Sequence, residues 1–157
     1  MKKMIPKSLI LLSLLSTTSL CIGTQTKANV LISIFVEKET DEIKKVVYAY
    51  IAGGDEQSVS QLQKVMHDNY RVIINDPKEN QIKELDKSTY LDFIEQKKFG
   101  GIPRKVEIES ISISNEVNAT VKLKMSSSSA IFFSQFSMVK SDNKWWIIQD
   151  MVQMELK

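Results

Sequence analysis

In 157 residues the chain has one cysteine, Cys21, and one histidine, His67. A lone histidine gives a His-based metal site no second imidazole, and no serine elbow accompanies it to build a nucleophile triad. Like charges never run beyond two, so no basic stripe suggests nucleic acid. Glycine and proline are scarce, at five and three residues, and where they occur they punctuate the pattern.

The amino-terminal residues carry a different signal. Lys2, Lys3 and Lys7 precede a run from Ser8 to Gly23 rich in Leu, Ile, Ser and Thr, and Thr24 to Ala28 is short and polar. This is a secretory layout. The run is hydroxyl-rich and shorter than the roughly 20 apolar residues of a membrane span. Thr26 and Ala28 offer small residues for cleavage, which predicts a signal peptide over 1–28 and a single domain over 29–157. The domain is then exported, periplasmic or secreted, from a bacterial cell, with no membrane attachment after cleavage. An uncleaved anchor is one alternative. Lipoprotein processing at Cys21 is another, although Leu20 stands where such sites usually carry a small residue.

Cleavage at Ala28 leaves a mature chain without cysteine. Disulfides, thiol catalysis and Cys-based metal sites then drop out together, and neither metal nor cofactor is expected. Lys2, Lys3, Lys7 and Lys27 also leave, with no acid among the first 28 residues. The 21 basic residues fall to 17 against 19 acidic, so the precursor's positive balance belongs to targeting.

Val30 to Val36, "VLISIFV", fits a short strand, the start of the first helix, or part of the signal. From Asp41, Ile43, Val46, Val47, Tyr50 and Ile51 recur at helical spacing, and Gly53 and Gly54 stop the helix. Asp55 is positioned to cap a second helix, about Glu56 to Met66, that buries Val59, Leu62, Val65 and Met66. "NYRVIIND" reads as a strand ended by Asp76 and Pro77. A charged connection containing "QIKEL" leads to a third helix capped by Asp86 or Ser88, with Tyr90, Phe93 and Ile94 on one face and Gly100 and Gly101 beyond it.

The last third predicts a strand meander. Val106 and Ile108 share one parity and Ile111 and Ile113 the other, which places a bulge near Glu109 and Ser110. Val117 to Met125 alternates cleanly, "SSSS" makes a solvated hairpin turn, "AIFFSQFSMVK" suits a central strand, and Asp142 with Asn143 makes the final turn. The expected fold class is α+β, with three N-terminal helices packed on a strongly curved antiparallel sheet that forms a cone with a pocket.

These stretches resemble the nuclear transport factor 2-like superfamily, in its bacterial branch labelled putative lumazine-binding. The resemblance rests on "YIAGGD", "VMHDNYRV", "NATVKL" and "FSMVKSDNKWWII", in that order between Asp41 and Ile148. The chain departs from the branch's pattern at Asp68 and Asn69, where relatives continue His with Pro-Asp. Ser134 stands where an acid is common, and Asn143 where a turn glycine is usual. The resemblance implies a cone-shaped fold that dimerises through its outer sheet face and hosts unrelated functions, including isomerisation, dehydration, cyclisation and plain binding.

The final strand carries the sharpest candidate. Strict alternation groups Trp146, Ile148, Asp150, Val152, Met154 and Leu156 on one face. Asp150 there either enters the cavity between Trp146 and Ile148, where desolvation raises its pKa, or turns to solvent or to Lys122 or Lys124. Tyr50 and Tyr90 point at the sheet as core residues or as hydrogen-bond partners of a cavity carboxylate. His67 follows the second helix, either bonding its last carbonyls or serving as an acid or base at the pocket rim. The expected ligand-binding residues are therefore Asp150, Tyr50, Tyr90, Trp146 and His67.

Two functions fit. One is an exported, non-catalytic domain that binds a small apolar or aromatic molecule. The other is an isomerase, dehydratase or cyclase with Asp150 carrying protons and a tyrosine facing the developing oxyanion. A purely structural homodimer is the third possibility.

Overall fold

The computed structural model describes residues 21–78 and 80–157, with side chains from Asn29 onward. The expected signal lies largely outside the described residues. Two units divide the chain, Met1–Glu37 and Lys38–Lys157. In the first, the described residues belong to helix α1 (Cys21–Asp55), so "VLISIFV" is helical, and α1 runs unbroken across the expected junction after Ala28. No described helix is long and apolar enough to cross a membrane.

The second unit contains the remaining turns of α1, then α2 (Val59–Gln63), β1 (Met66–Asp76), β2 (Gln81–Asp86) and α3 (Lys87–Glu95). Four strands follow: β3 (Lys105–Ser114), β4 (Asn118–Ser126), β5 (Ala130–Ser141) and β6 (Lys144–Leu156). The six strands form one sheet in the order β2-β1-β6-β5-β4-β3. The α+β class holds, but the sheet is mixed, because β1 runs parallel to β6.

Each helix buries one stripe. Ile43, Val47, Tyr50 and Ile51 of α1 are almost fully buried, as are Leu91 and Ile94 of α3. They join Val121, Leu123, Met125, Phe136, Met138, Trp145 and Ile147 from the sheet in one apolar core. Asp86 caps α3 as expected, its carboxylate accepting the Thr89 N–H at 2.8 Å. The turn between β5 and β6 places Asp142 and Asn143 at φ 52° and 57°, the left-handed backbone that suits a tight hairpin.

Two expected elements change. The second helix shrinks to Val59–Gln63 because Val65 and Met66 are taken by the sheet: Val65 O accepts the Ile147 N–H at 2.9 Å and Met66 pairs with Ile147. The connection containing "QIKEL" is the edge strand β2, which pairs with β1 from Arg71↔Asp86 to Asp76↔Gln81. Most of its side chains are exposed, so no alternation marks it.

Two bulges set the faces of the long strands. In β3 the pairing skips Glu109, between Ile108 and Ser110, as the parity switch predicts. In β6 it skips Ile148, since Met138 faces Ile147 and the next pair joins Ser137 to Gln149. The second bulge decides the site.

Candidate functional site

Alternation through Trp146 and Ile148 assumed an unbroken β6. The bulge at Ile148 breaks that parity, so Trp145, Ile147 and Asp150 all face inward. Trp146 therefore lies on the other face, with the Lys144 ammonium 3.6 Å from its ring centre, and lines no part of the cavity. Asp150 sits on a cross-strand rung between Phe136 and Val72, both buried. Lys122 and Lys124 alternate with the inward Val121, Leu123 and Met125, and neither pairs with the carboxylate.

Three tyrosines close over this carboxylate. Tyr50 comes from the buried stripe of α1, Tyr70 from the inward parity of β1 that it shares with Val72, and Tyr90 from α3. The Tyr50 hydroxyl lies 2.6 Å from that of Tyr70, 3.3 Å from that of Tyr90 and 3.4 Å from Asp150 Oδ2. The Tyr50 ring stacks on Tyr90 and meets Phe136 edge-on at 5.2 Å.

Hydrogen-bond accounting constrains this cluster. Tyr50 owns one proton and stands as donor to both Tyr90 and Asp150, so it serves one at a time. The short contact then runs with Tyr70 donating. Tyr90, as acceptor, keeps its own proton free, and it is Tyr90 rather than Tyr70 that lines the cavity. Asp150 Oδ1 and Ser134 Oγ are both fully buried without a hydrogen-bond partner among the described residues. The serine hydroxyl is near enough to favour the ionised carboxyl, but the two are not aligned as a bond.

Burial dominates the electrostatics. It pushes Asp150 from 3.8 to about 7, against the opposing pull of the Ser134 and Tyr50 hydroxyls and the Arg104 charge. Burial likewise raises Tyr50 and Tyr70 well above the usual phenol range, and Tyr90 above it. Near neutral pH the cluster is a proton-rich floor with one carboxyl poised to lose its proton.

Above that floor lies a cavity of about 300 Å³. Its walls are apolar: Val72, Ile74, Phe99, Met125, Phe132, Val152 and Met154. Its rim carries Lys98, Gly100, Ile102, Arg104, Ser127 and Ser129. Asp55, expected to cap a helix, instead accepts from the Arg104 backbone N–H at 2.9 Å and from its Nε. An Arg104 Nη donates to Ile51 O at 3.0 Å. Gly54 lies under this guanidinium, where a β-carbon would stand 2.7 Å from it. Gly100, at φ +74°, packs on Gly54 O, and Gly101 N–H donates to the same oxygen at 3.1 Å. "YIAGGD" thus builds the rim as well as ending a helix.

His67 lies on β1, half-buried, with Nδ1 accepting the Asn69 N–H at 3.1 Å, and it does not line the cavity. It follows a strand start rather than a helix end, so helix-end capping is corrected too. Of the five expected residues, the structure gathers Asp150, Tyr50 and Tyr90. Sequence reasoning missed Tyr70, which its parity with Val72 signals, and Arg104, which nothing local signals.

A family profile described as "Putative lumazine-binding" matches residues 38–152. The chain belongs to this family. No curated protein matches it. Solved structures agree on the nuclear transport factor 2-like (NTF2-like) fold of the superfamily to which the lumazine-binding family belongs. An NTF2-like protein of unknown function from Shewanella baltica is 19% identical, with TM-score 0.67, covering 75% of this chain and 94% of its own. A ketosteroid isomerase-like protein from Erwinia carotovora atroseptica is 13% identical, with TM-score 0.57, 71% and 92% covered. A protein with a cystatin-like fold from Nostoc punctiforme is 12% identical, with TM-score 0.56, 74% and 90% covered. At these identities the likeness is one of fold. The family match spans the whole tyrosine–carboxyl floor, from Tyr50 to Asp150.

Proposed function

We propose that this domain binds a small, largely apolar molecule whose polar atom rests on Asp150 and Tyr90. One observation carries the reading: a buried carboxyl that forms no ion pair among the described residues lines a cavity with apolar walls. Burying such a group without an ion pair is costly, and perturbed groups of this kind concentrate at functional sites. The family's description supports a small ligand, and the two strand bulges support a sheet that wraps the cavity as a cone.

Native mass spectrometry of the protein purified from its own host tests this. The expected result is a retained small molecule released on denaturation. A protein that arrives empty and binds no apolar compound at neutral pH removes the proposal.

A second reading, an enzyme that moves a proton, draws on the Asp150 value of about 7, which suits general acid or base work near neutrality. The isomerase-like neighbour is consistent with it. Asp150→Asn then abolishes turnover of any substrate found; unchanged turnover discards the role.

Export rests on the lysine-led apolar segment ahead of Ala28, and amino-terminal sequencing of the mature protein is expected to begin at Asn29. Phe133 and Met151, exposed on the outer face of the central strands, support a homodimer.

A further inference from the structure

Three charged side chains line the cavity, and they are not evenly placed. Asp150 is on the floor; Lys98 and Arg104 are at the rim. Arg104 is fixed by Asp55 and by Ile51 O, and its charge is already matched by that carboxylate. Lys98 differs. It is exposed, its ammonium lies 5.0 Å from the centre of the Phe93 ring, and among the described residues it pairs with no carboxylate.

Its backbone is nonetheless held. Past the end of α3, Lys97 takes φ 58° and the Lys98 N–H donates to Phe93 O at 2.8 Å, which turns the chain over the cavity mouth. Phe99 follows directly, as a wall residue 5.1 Å from Phe93 and 5.9 Å from Tyr90, ring centre to ring centre. The lysine thus stands on an ordered turn beside the apolar wall.

Among the residues that line the cavity, Lys98 and Arg104 against Asp55 leave one net positive charge, while the Lys157 ammonium, outside the lining, donates to Ser127 O. We infer that the cavity takes an amphipathic monoanion, an apolar body with a neutral polar atom for the floor and a single carboxylate, and that Lys98 receives the carboxylate at the mouth. A single lining cation without a carboxylate partner suits a single anionic group. A carboxylate driven to the floor would meet Asp150 with little water to screen it, whereas at the rim it keeps part of its hydration. The volume of about 300 Å³ lies at the small end of ligand pockets, which suits a medium-chain acid. This inference rests on the small-molecule reading above and names the ligand's class.

Titration calorimetry of the protein with decanoate, decanol and naphthalene tests it. Decanoate is expected to bind roughly fivefold tighter than decanol, the scale of one partly exposed ion pair, and the gap is expected to narrow with salt. Lys98→Met is expected to remove most of that advantage, and Lys98→Arg to retain it. Equal binding of decanoate and decanol, or an advantage untouched in Lys98→Met, overturns the monoanion inference and leaves the small-molecule site standing. Binding of none of the three probes overturns both.

Discussion

Replacing Asp150 by asparagine is expected to stabilise the protein above neutral pH, by up to about 4 kcal/mol. The folded carboxyl titrates at about 7 and the unfolded one at 3.8. Between those values the folded state holds the proton more tightly, so this group's contribution is full below 3.8 and falls as pH rises to about 7. Above that, the wild type buries a charge that the amide does not. Wild type and variant therefore match in acid and diverge in base. Urea denaturation of both at about pH 4 and about pH 8 reads the difference between them, which cancels the pH dependence of every other group. Equal stabilities at the higher pH would mean a hydrated carboxyl, and the floor of the site would be lost. A stabilised variant that also binds or turns over poorly is the usual trade at a functional site.

Glu39→Ala is expected to act in the opposite direction, costing about 3–5 kcal/mol. Glu39 is 4% exposed; its two oxygens accept from Lys140 Nζ and Trp145 Nε1, each at 2.7 Å. Burial alone would raise its pKa, but the bonds from Lys140 and Trp145 outweigh that and lower it. Its contribution is accordingly full above 4.5 and is lost as pH falls through the lower folded value. Alanine takes the acceptor from a buried indole N–H next to the apolar core. Glu39→Gln keeps an acceptor without the charge and is expected to lose less. Thermal unfolding followed by tryptophan fluorescence measures both. A loss below about 1 kcal/mol would mean that solvent screens the pair as on an open surface.

How much of this was legible depended on how local each signal was. The buried stripe of α1, the Asp86 cap and the bulge at Glu109 were readable because neighbours in sequence contrast in polarity there. The bulge at Ile148 was not: Trp145, Trp146, Ile147 and Ile148 are all large and apolar, so either parity fits. That ambiguity turned the wrong tryptophan inward: Trp145 is the buried one, and neither lines the cavity. Strand β2 hid because most of its side chains are exposed at an edge, and Val65 with Met66 suit a helix or a strand until Ile147 arrives to pair with them.

By itself the sequence determined the α+β class, the inward helix faces, the family resemblance and the oddity of an acid in an apolar terminal strand. Only the tertiary structure decided that Asp150 turns inward, that Tyr50, Tyr70 and Tyr90 meet around it, and that Asp55 holds Arg104 at the rim. The reason is physical. Helix faces and caps follow from interactions within a few residues, whereas the hydroxyls and carboxyl of the floor come from four separate elements. Their meeting is set by cross-strand register, which no short stretch of chain encodes.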